Sequence, residues 1–167
     1  MKIGLLSDTH GHLPEVVFRH FANCDEIWHA GDFGSPEVAD KLASFKPLRG
    51  VYGNIDGNQI RQRFPEELIF EIAQMKFLIT HIAGQPGRYT ARIQQLLAMQ
   101  SPHVLICGHS HMLKVMFDKK FNLLYLNPGA AGNEGFHKIK TLLRFDILGN
   151  KLSNLEVIEL GKRGTSQ

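Results

Sequence analysis

Five short apolar stretches of this chain are each followed by a polar residue that can bind a cation, and this recurrence constrains the fold more than any other feature. Residues 3–7, 26–30 and 48–52 have the length and apolar content of buried strands. Helical patterns lie between them, and each strand leads into a polar turn. The alternation predicts an α/β protein whose chemistry lies on the loops after strand ends.

The remaining elements follow from hydrophobic spacing and turn residues. Helices are predicted over residues 14–21, from the N-cap Ser35 through Phe45, and over residues 88–99. The second half is richer in strands, which are predicted over residues 68–72, 77–80, 104–107, 114–117, 123–126, 141–147 and 155–160. With no repeat or linker, residues 1–167 are predicted to form a single domain, in which residues 161–167 are a frayed tail.

Composition excludes several classes of protein. The chain has 167 residues, of which 43% are hydrophobic and 21% are charged, a mixture that is typical of one globular domain and not of a disordered chain. The formal net charge of +3 comes without any block of lysine or arginine, so nucleic acid is not expected as a partner. No stretch approaches the roughly 20 apolar residues that span a bilayer, so no membrane association is expected.

The cysteines and the amino terminus indicate a cytoplasmic protein. Cys24 and Cys107 are far apart and neither belongs to a CxxC pair, so both are interpreted as reduced, buried thiols. The apolar run at the amino terminus is too short for a signal peptide and ends at Asp8.

Five polar motifs follow predicted strands. They are Asp8-Thr9-His10, Gly31-Asp32, Gly53-Asn54-Ile55-Asp56, Thr80-His81 and Gly108-His109-Ser110-His111. Each is weak alone, because Gly-Asp and Gly-Asn are ordinary turn dipeptides and a single histidine is more often a hydrogen-bonded core residue than a ligand. Together they place oxygen or imidazole ligands after five strands, and Asp8 and His10 share one face of an extended segment.

This set of ligands indicates a pair of transition-metal ions. The seven candidate ligands are Asp8, His10, Asp32, Asn54, His81, His109 and His111. Carboxylate, amide and imidazole together suit Mn, Fe, Zn or Ni better than calcium. Seven ligands are too many for one small cation, and the two aspartates would neutralise only part of the charge of two divalent ions. The remaining positive charge suits a phosphate and a hydroxide.

The ordered motifs resemble those of the calcineurin-like metallophosphoesterase superfamily. The Ser7-Asp8-Thr9-His10-Gly11 opening and the late Asn127-Pro128-Gly129 are similar to those of its small bacterial and archaeal phosphodiesterases. The resemblance covers residues 1 to about 147. It implies two mixed β-sheets packed as a sandwich and flanked by helices.

The resemblance also implies roles for the ligands. Asp8, His10 and His111 would hold one metal, while Asn54, His81 and His109 would hold the other. Asp32 would bridge the ions together with a hydroxide that acts as the nucleophile, so that Asp32, Asn54 and His109 are the expected catalytic residues. The ions are expected to be Mn²⁺, with Ni²⁺, Fe, Zn²⁺ or Mg²⁺ as alternatives.

The sequence departs from the superfamily at positions that contact substrate. Ile55 stands where many members have a histidine that protonates the leaving group, so a small diester with a good leaving group is the expected substrate. Asp56 is expected to orient its loop or support a ligand. Ile82-Ala83-Gly84 replaces a common Gly-His, and Ala130 replaces a common serine. Residues 85–89 are a candidate pocket rim, although Arg88 is interpreted first as a solvated residue at a helix start.

Other histidines and other functions stay open. His29 is either a support for the ligands or a packed strand residue, and the histidines that match no ligand position are interpreted as surface or packing residues: His12, His20, His103 and His137. The alternatives to a phosphodiesterase are a phosphomonoesterase or nuclease on the same site, or a non-catalytic interaction scaffold of the same fold. By resemblance, a homodimer or homotetramer is possible.

Overall fold

The computed structural model describes residues 1–164, which form two five-stranded sheets, a small hairpin and four α-helices. The helices are α1 (Val16–Phe21), α2 (Pro36–Phe45), α3 (Asn58–Arg63) and α4 (Ala91–Gln100). The strands are β1 (Lys2–Leu6), β2 (Glu26–His29), β3 (Leu48–Gly50), β4 (Glu67–Ile72), β5 (Met75–Thr80), β6 (Gly84–Gln85), β7 (Arg88–Tyr89), β8 (Val104–Ile106), β9 (Leu113–Asp118), β10 (Leu123–Pro128), β11 (Ile139–Leu148) and β12 (Lys151–Lys162).

Both large sheets are mixed. The first has the order β12-β11-β1-β2-β3, in which β1, β2 and β3 are parallel and β11 runs antiparallel to β1. The second has the order β4-β5-β8-β10-β9, with β5, β8 and β10 parallel and the two edge strands antiparallel. The parallel strands are the ones that carry the polar motifs at their carboxyl ends.

The main core lies between the two sheets. Trp28 of the first sheet contacts Phe77 of the second with ring centroids 5.0 Å apart, and Phe145 and Ile106 belong to the same buried cluster. Such burial of large apolar side chains stabilises the sandwich by roughly 1.5–3 kcal/mol for each side chain. The predicted sandwich of two mixed sheets is therefore confirmed.

Helices cover the outer faces of the sandwich. Phe21 of α1, Leu42 of α2 and Ile60 of α3 belong to one buried cluster with Ile27 of the first sheet. On the other side, Ile93 and Leu97 of α4 pack against the second sheet in a cluster that contains Leu105 and Tyr125. The predicted flanking helices are thus confirmed on both sides.

Several element boundaries differ from the predictions. The helix predicted over residues 88–99 begins only at Ala91, because Arg88 and Tyr89 pair in a hairpin with Gly84 and Gln85. Thr90 is the N-cap, and its hydroxyl oxygen accepts a hydrogen bond from the Ile93 N–H.

The structure also differs from the predictions at α3 and at the carboxyl terminus. The short helix α3 was not predicted, because Ile60 is its only buried side chain and shows no periodicity. The predicted frayed tail is wrong for Gly161 and Lys162, which belong to β12. Residues 165–167 of that tail lie outside the described part of the chain. Among residues 1–164, no helix has the length and apolar content to cross a membrane.

Candidate metal centre

All five polar motifs gather at one end of the sandwich. Because β1, β2 and β3 are parallel, Asp8, Asp32 and Asn54 follow them at a common edge. The parallel strands β5 and β8 bring His81 and His109 to the corresponding edge of the second sheet. Hydrogen bonds join the two edges, since the His109 N–H donates to the Asp8 carboxylate at 3.1 Å and His81 Nδ1 bonds Ala30 O at 2.8 Å.

One group of candidate ligands consists of Asp8, His10 and His111, whose ligand atoms all lie within 4.8 Å of one another. The Nε2 atom of His111 lies 3.2 Å from Asp8 Oδ1 and 3.3 Å from His10 Nε2. These are the three residues that were predicted to hold one metal. Their donor atoms point at a common volume, as a bound cation requires.

A second group consists of Asp8, Asp32 and His81. His81 Nε2 lies 3.2 Å from Asp32 Oδ2, and Asn54 Oδ1 lies 3.1 Å from the same nitrogen. Asp8 belongs to both groups, and Asp32 Oδ2 also lies 3.6 Å from His10 Nε2. Both buried carboxylates therefore lie between the imidazole of His10 and that of His81.

His109 is placed less deeply than the other candidates. Its ring packs edge-on against His81 with centroids 5.3 Å apart, but it belongs to neither group of converging ligand atoms, and its side chain is exposed. The structure thus brings Asp8, His10, Asp32, His81 and His111 into the two groups and sets Asn54 and His109 against His81. The assignment of each residue to an ion stays a prediction.

The candidate ligands occupy unusual backbone conformations. Five of them have a left-handed backbone, with φ of 54° at Asp8, 47° at His10, 58° at Asp32, 66° at His109 and 56° at His111. The expectation that Asp8 and His10 share the face of an extended segment is therefore wrong. A tight turn aims both side chains instead, and aspartate and histidine are among the residues that adopt this region most readily.

Glycines make room for the ligands at two close approaches. A Cβ atom on Gly53 would lie 2.0 Å from Asp32 Oδ1, and one on Gly135 would lie 1.9 Å from His111 Nδ1. Both distances are far below van der Waals contact, so any side chain would displace the ligand. Gly135 also has a φ of 111°, which other residues rarely adopt.

Charge pairing shifts the pKa values of the cluster. Burial alone would lower the pKa of His81, but the hydrogen bond to Asp32 and the two nearby carboxylates raise it overall. The hydrogen bond to Asp8 raises the pKa of His111. Burial would raise the pKa of Asp32, yet the hydrogen bond to His81 and other contacts lower it. His81 and His111 are thus each paired with a buried carboxylate, His81 with Asp32 and His111 with Asp8.

Asp56 holds two of the ligand loops together. Its buried carboxylate accepts hydrogen bonds from the N–H groups of Phe33 at 3.2 Å, Gly34 at 2.8 Å and Gly53 at 2.8 Å. The first two lie just after Asp32, and Gly53 lies just before Asn54. This geometry supports the predicted role of Asp56 in orienting its loop.

His29 and Thr9 form a second contact between ligand loops. The sequence alone had left the role of His29 open. His29 Nδ1 accepts from the Gly31 N–H at 3.2 Å, so a neutral ring carries its proton on Nε2, which lies 3.0 Å from Thr9 Oγ1. The Thr9 hydroxyl donates to Phe33 O at 3.0 Å. Complete burial lowers the pKa of His29 to about 3, which keeps the ring neutral. His29 therefore links the first two ligand loops.

Two other residues at the centre had no predicted role there. His137 packs edge-on against His111 with centroids 5.4 Å apart, and its Nε2 lies 3.1 Å from Gly132 O. Asn127 donates to Gly108 O at 2.9 Å and to Ser110 Oγ at 3.1 Å, and so supports the loop of His109. No local pattern identifies His137, whereas Asn127 is a buried polar residue near the end of β10.

The sequence departures are divided between exposed and buried positions. Ile55 is 46% exposed, and its backbone N–H donates to Asp32 Oδ1 at 3.1 Å. Ile82 is exposed as well, while Ala83 and Ala130 are buried. No proton donor stands at position 55, as the sequence shows.

Two clefts border the cluster. One of about 400 Å³ is lined by Asn54 and His81 together with Tyr52, Arg61 and Arg92. The other, of about 360 Å³, is lined by His109 and by the predicted rim residues Gln85 and Arg88. Both are large enough for a small organic phosphoester.

Comparison with known proteins gives consistent matches. Residues 1–150 match the family model of the calcineurin-like phosphoesterase superfamily domain. A probable metallophosphoesterase of Methanothermobacter thermautotrophicus is 32% identical over 135 residues, which are 78% of this chain and 77% of the relative. The phosphodiesterase MJ0936 of Methanocaldococcus jannaschii is 31% identical over 146 residues, covering 77% of this chain and 83% of the relative.

A solved structure shares the fold at lower identity. A Vps29 variant of Entamoeba histolytica superposes with a TM-score of 0.76 at 18% identity, over 96% of this chain and 99% of that one. At this identity the likeness concerns the fold alone.

Proposed function

The chain belongs to the calcineurin-like phosphoesterase superfamily, and we propose that it is a metal-dependent phosphodiesterase that hydrolyses small phosphodiesters at the cluster of Asp8, Asp32 and the surrounding histidines. The observation that carries the proposal is the pair of converging ligand groups that share Asp8. The relative described as a phosphodiesterase supports a diester substrate.

The donor set fits two divalent transition-metal ions. Imidazole nitrogens and carboxylate oxygens are the ligands that Mn, Fe, Zn and Ni accept together, and Mn²⁺ is our first choice. Asp8, His10 and His111 would hold one ion, and Asn54, His81 and His109 the other. Asp32 would bridge them, since its Oδ2 lies 3.6 Å from His10 Nε2 and 3.2 Å from His81 Nε2. When bound, such a pair supplies Lewis-acid polarisation of the phosphate and activation of water.

The protein's own residues prepare the site for this chemistry. His81 donates through Nδ1 to Ala30 O, which fixes the ring so that Nε2 faces the carboxylates. Burial of Asp8 and Asp32 excludes bulk water from their carboxylates, so electrostatic attraction to a cation is strong. Hydrogen bonds of Asp56, His29 and Thr9 fix the positions of the ligand loops relative to one another. No side chain at position 55 can protonate the leaving group, which favours substrates with a good leaving group.

The test combines metal analysis with a substrate panel. Protein with Mn²⁺ is expected to bind two ions per chain and to hydrolyse bis-4-nitrophenyl phosphate faster than 4-nitrophenyl phosphate. Asn54→Ala and His81→Ala should each lower hydrolysis of the diester, whereas His20→Ala on α1 should not. Unchanged activity of the two ligand variants would exclude the proposed site.

The same panel separates the alternatives. Faster hydrolysis of the monoester would indicate a phosphomonoesterase, and cleavage of single-stranded DNA would indicate a nuclease. A non-catalytic scaffold of the same fold is the third alternative. Calorimetry that detects no divalent metal binding would favour the scaffold.

A cytoplasmic location and a homodimer or homotetramer stay predictions. Sedimentation of the purified protein tests the second of these directly.

A further inference from the structure

The cleft of about 360 Å³ beside His109 is lined by two cationic side chains, Arg88 and Lys114. Arg88 comes from β7 and Lys114 from β9, so the two side chains reach the cleft from separate elements. Within residues 1–164, no ion pair or hydrogen bond involves either cationic group.

The cations of the other cleft are already engaged. Arg92 forms ion pairs with Glu66 and Glu67, while Arg61 donates to Asp56 O at 2.7 Å and lies over the ring of Tyr52. The two clefts therefore differ in their readiness for an anion. Among the residues that the structure describes, only the cleft beside His109 has cationic side chains that form no ion pair or hydrogen bond.

The same cleft also offers apolar surface. Ile82 and Met112 line it and are 41% and 62% exposed, so both present apolar surface to the cleft. The ring of Tyr125 lies on its wall and is held there, because the Tyr125 hydroxyl donates to Gly84 O at 3.0 Å and accepts from Cys107 Sγ. An apolar or planar group would bury these surfaces.

We propose that this cleft binds the part of the substrate that is retained on the phosphate, and that this part carries an apolar ring and a second anionic group. The inference rests on the proposed phosphodiesterase function. A phosphate at the ligand cluster would have one substituent directed past His109, which packs against His81 and also lines the cleft. Arg88 and Lys114 would then pair with a carboxylate or a further phosphate on that substituent.

The test compares two diesters that differ in one charge. Both release 4-nitrophenolate, and the retained arm is either 4-carboxyphenyl or its methyl ester. The wild-type enzyme with Mn²⁺ is expected to prefer the carboxylate, in kcat/KM, by about tenfold, as a pair of charge-assisted contacts allows. Arg88→Ala and Lys114→Ala should each reduce this preference severalfold, mainly through KM, and Arg88→Lys should restore much of it.

Lys41→Ala is the matched control. It removes the same charge from α2, and Lys41 does not line the cleft, so the preference should stay at the wild-type value. If the neutral diester is hydrolysed and the wild-type enzyme shows no preference, or if the variants slow both diesters equally, the assignment of the cleft is wrong. If neither diester is hydrolysed, the proposed function itself fails, and the inference fails with it.

Discussion

The Nε2 atoms of His10 and His111 lie 3.3 Å apart, although the two histidines are 101 positions apart in the chain. One follows a strand of the first sheet and the other follows a strand of the second. Two imidazole nitrogens at this distance share either a proton or a cation, and Asp8 Oδ1 lies 3.2 Å from His111 Nε2. The contact therefore joins the two sheets at the point where we place a metal.

Replacing His111 should remove one of two metals. His111→Ala takes away one of the three donors of its group, so metal content after gel filtration should fall from about two to about one Mn²⁺ per chain. His20→Ala, which alters a histidine outside the cluster, should keep both. A His111→Ala protein that still holds two ions would contradict the ligand assignment.

Metal removal should lower the melting temperature. An ion at about 100 times its Kd stabilises the folded state by about 2.7 kcal/mol, which for a chain of this length corresponds to roughly 5–10 °C. Scanning calorimetry with Mn²⁺ and with a chelator measures the difference. The His81→Ala protein should show a smaller shift, and a wild-type melting temperature that is independent of metal would rule out a bound ion.

Loss of the Asp56 charge should weaken both stability and activity. Three backbone N–H groups donate to this buried carboxylate, and an amide at this position cannot accept all of them. Asp56→Asn is expected to lower the free energy of unfolding by about 1–3 kcal/mol and kcat by about 10–100-fold. Urea unfolding and diester hydrolysis measure the two effects.

Asp40→Asn is the control for that change. Asp40 pairs with Arg63 at 2.8 Å on the exposed side of α2, so its loss should cost less than about 1 kcal/mol and leave kcat unaltered. Equal effects of the two substitutions would argue against a special role of Asp56.

A histidine at position 55 should broaden the range of leaving groups. Ile55→His keeps the backbone hydrogen bond to Asp32 and adds a proton donor at the rim. General acid catalysis contributes about 10²–10⁴-fold where it is needed, so hydrolysis of a diphenyl phosphate should gain at least about tenfold relative to its 4-nitrophenyl analogue. Ile55→Gln adds polarity without a titrating group and should give no such gain. Parallel changes for both substrates would show that position 55 does not reach the leaving group.

Acid should destabilise the metal-free protein through His29. Burial lowers its pKa to about 3 in the folded state, whereas the unfolded chain has the ordinary value near 6.5. Between these values the unfolded state binds more protons, so stability falls as the pH falls, by at most about 1.4 kcal/mol per pH unit. In urea unfolding with chelator at pH 7 and pH 5, His29→Gln should lose stability less steeply than the wild type. Identical slopes would show that His29 is not the group responsible.

The strands that carry ligands were predictable because most of them, such as β1, β5 and β8, are largely buried apolar runs that end in a polar turn. The exception is β3, which is only three residues long and contains the half-buried Arg49. The short helix α3 was not, since Ile60 alone faces the core. Tyr89 was assigned to a helix, yet its ring is buried and its hydroxyl donates to Asp118 at 2.8 Å. That contact joins residues distant in sequence, which local periodicity does not record.

For the candidate site, residue types and order were enough to name the candidate ligands, and the supporting hydrogen bonds were not visible. The division of the ligands between two ions came from the family resemblance and stays a prediction. Asp56 was expected to orient its loop because it follows a ligand in the same turn. The bond between His29 and Thr9 and the packing of His137 on His111 depend on how separate loops meet. Contacts between loops that are distant in sequence form only in the folded chain, so neither of these two contacts could be derived from the sequence.

The left-handed backbone at five of the candidate ligands has a consequence for evolution in the laboratory. Each non-glycine residue in this region costs of order 1 kcal/mol, and glycine would relieve that cost. In a chelating medium, where a bound ion adds no stability, a selection that rewards only thermal resistance would therefore favour glycine at the half-buried His10 or His111 and discard the cation site along the way. Improved variants of this protein should be sought under a screen that scores turnover and folding together.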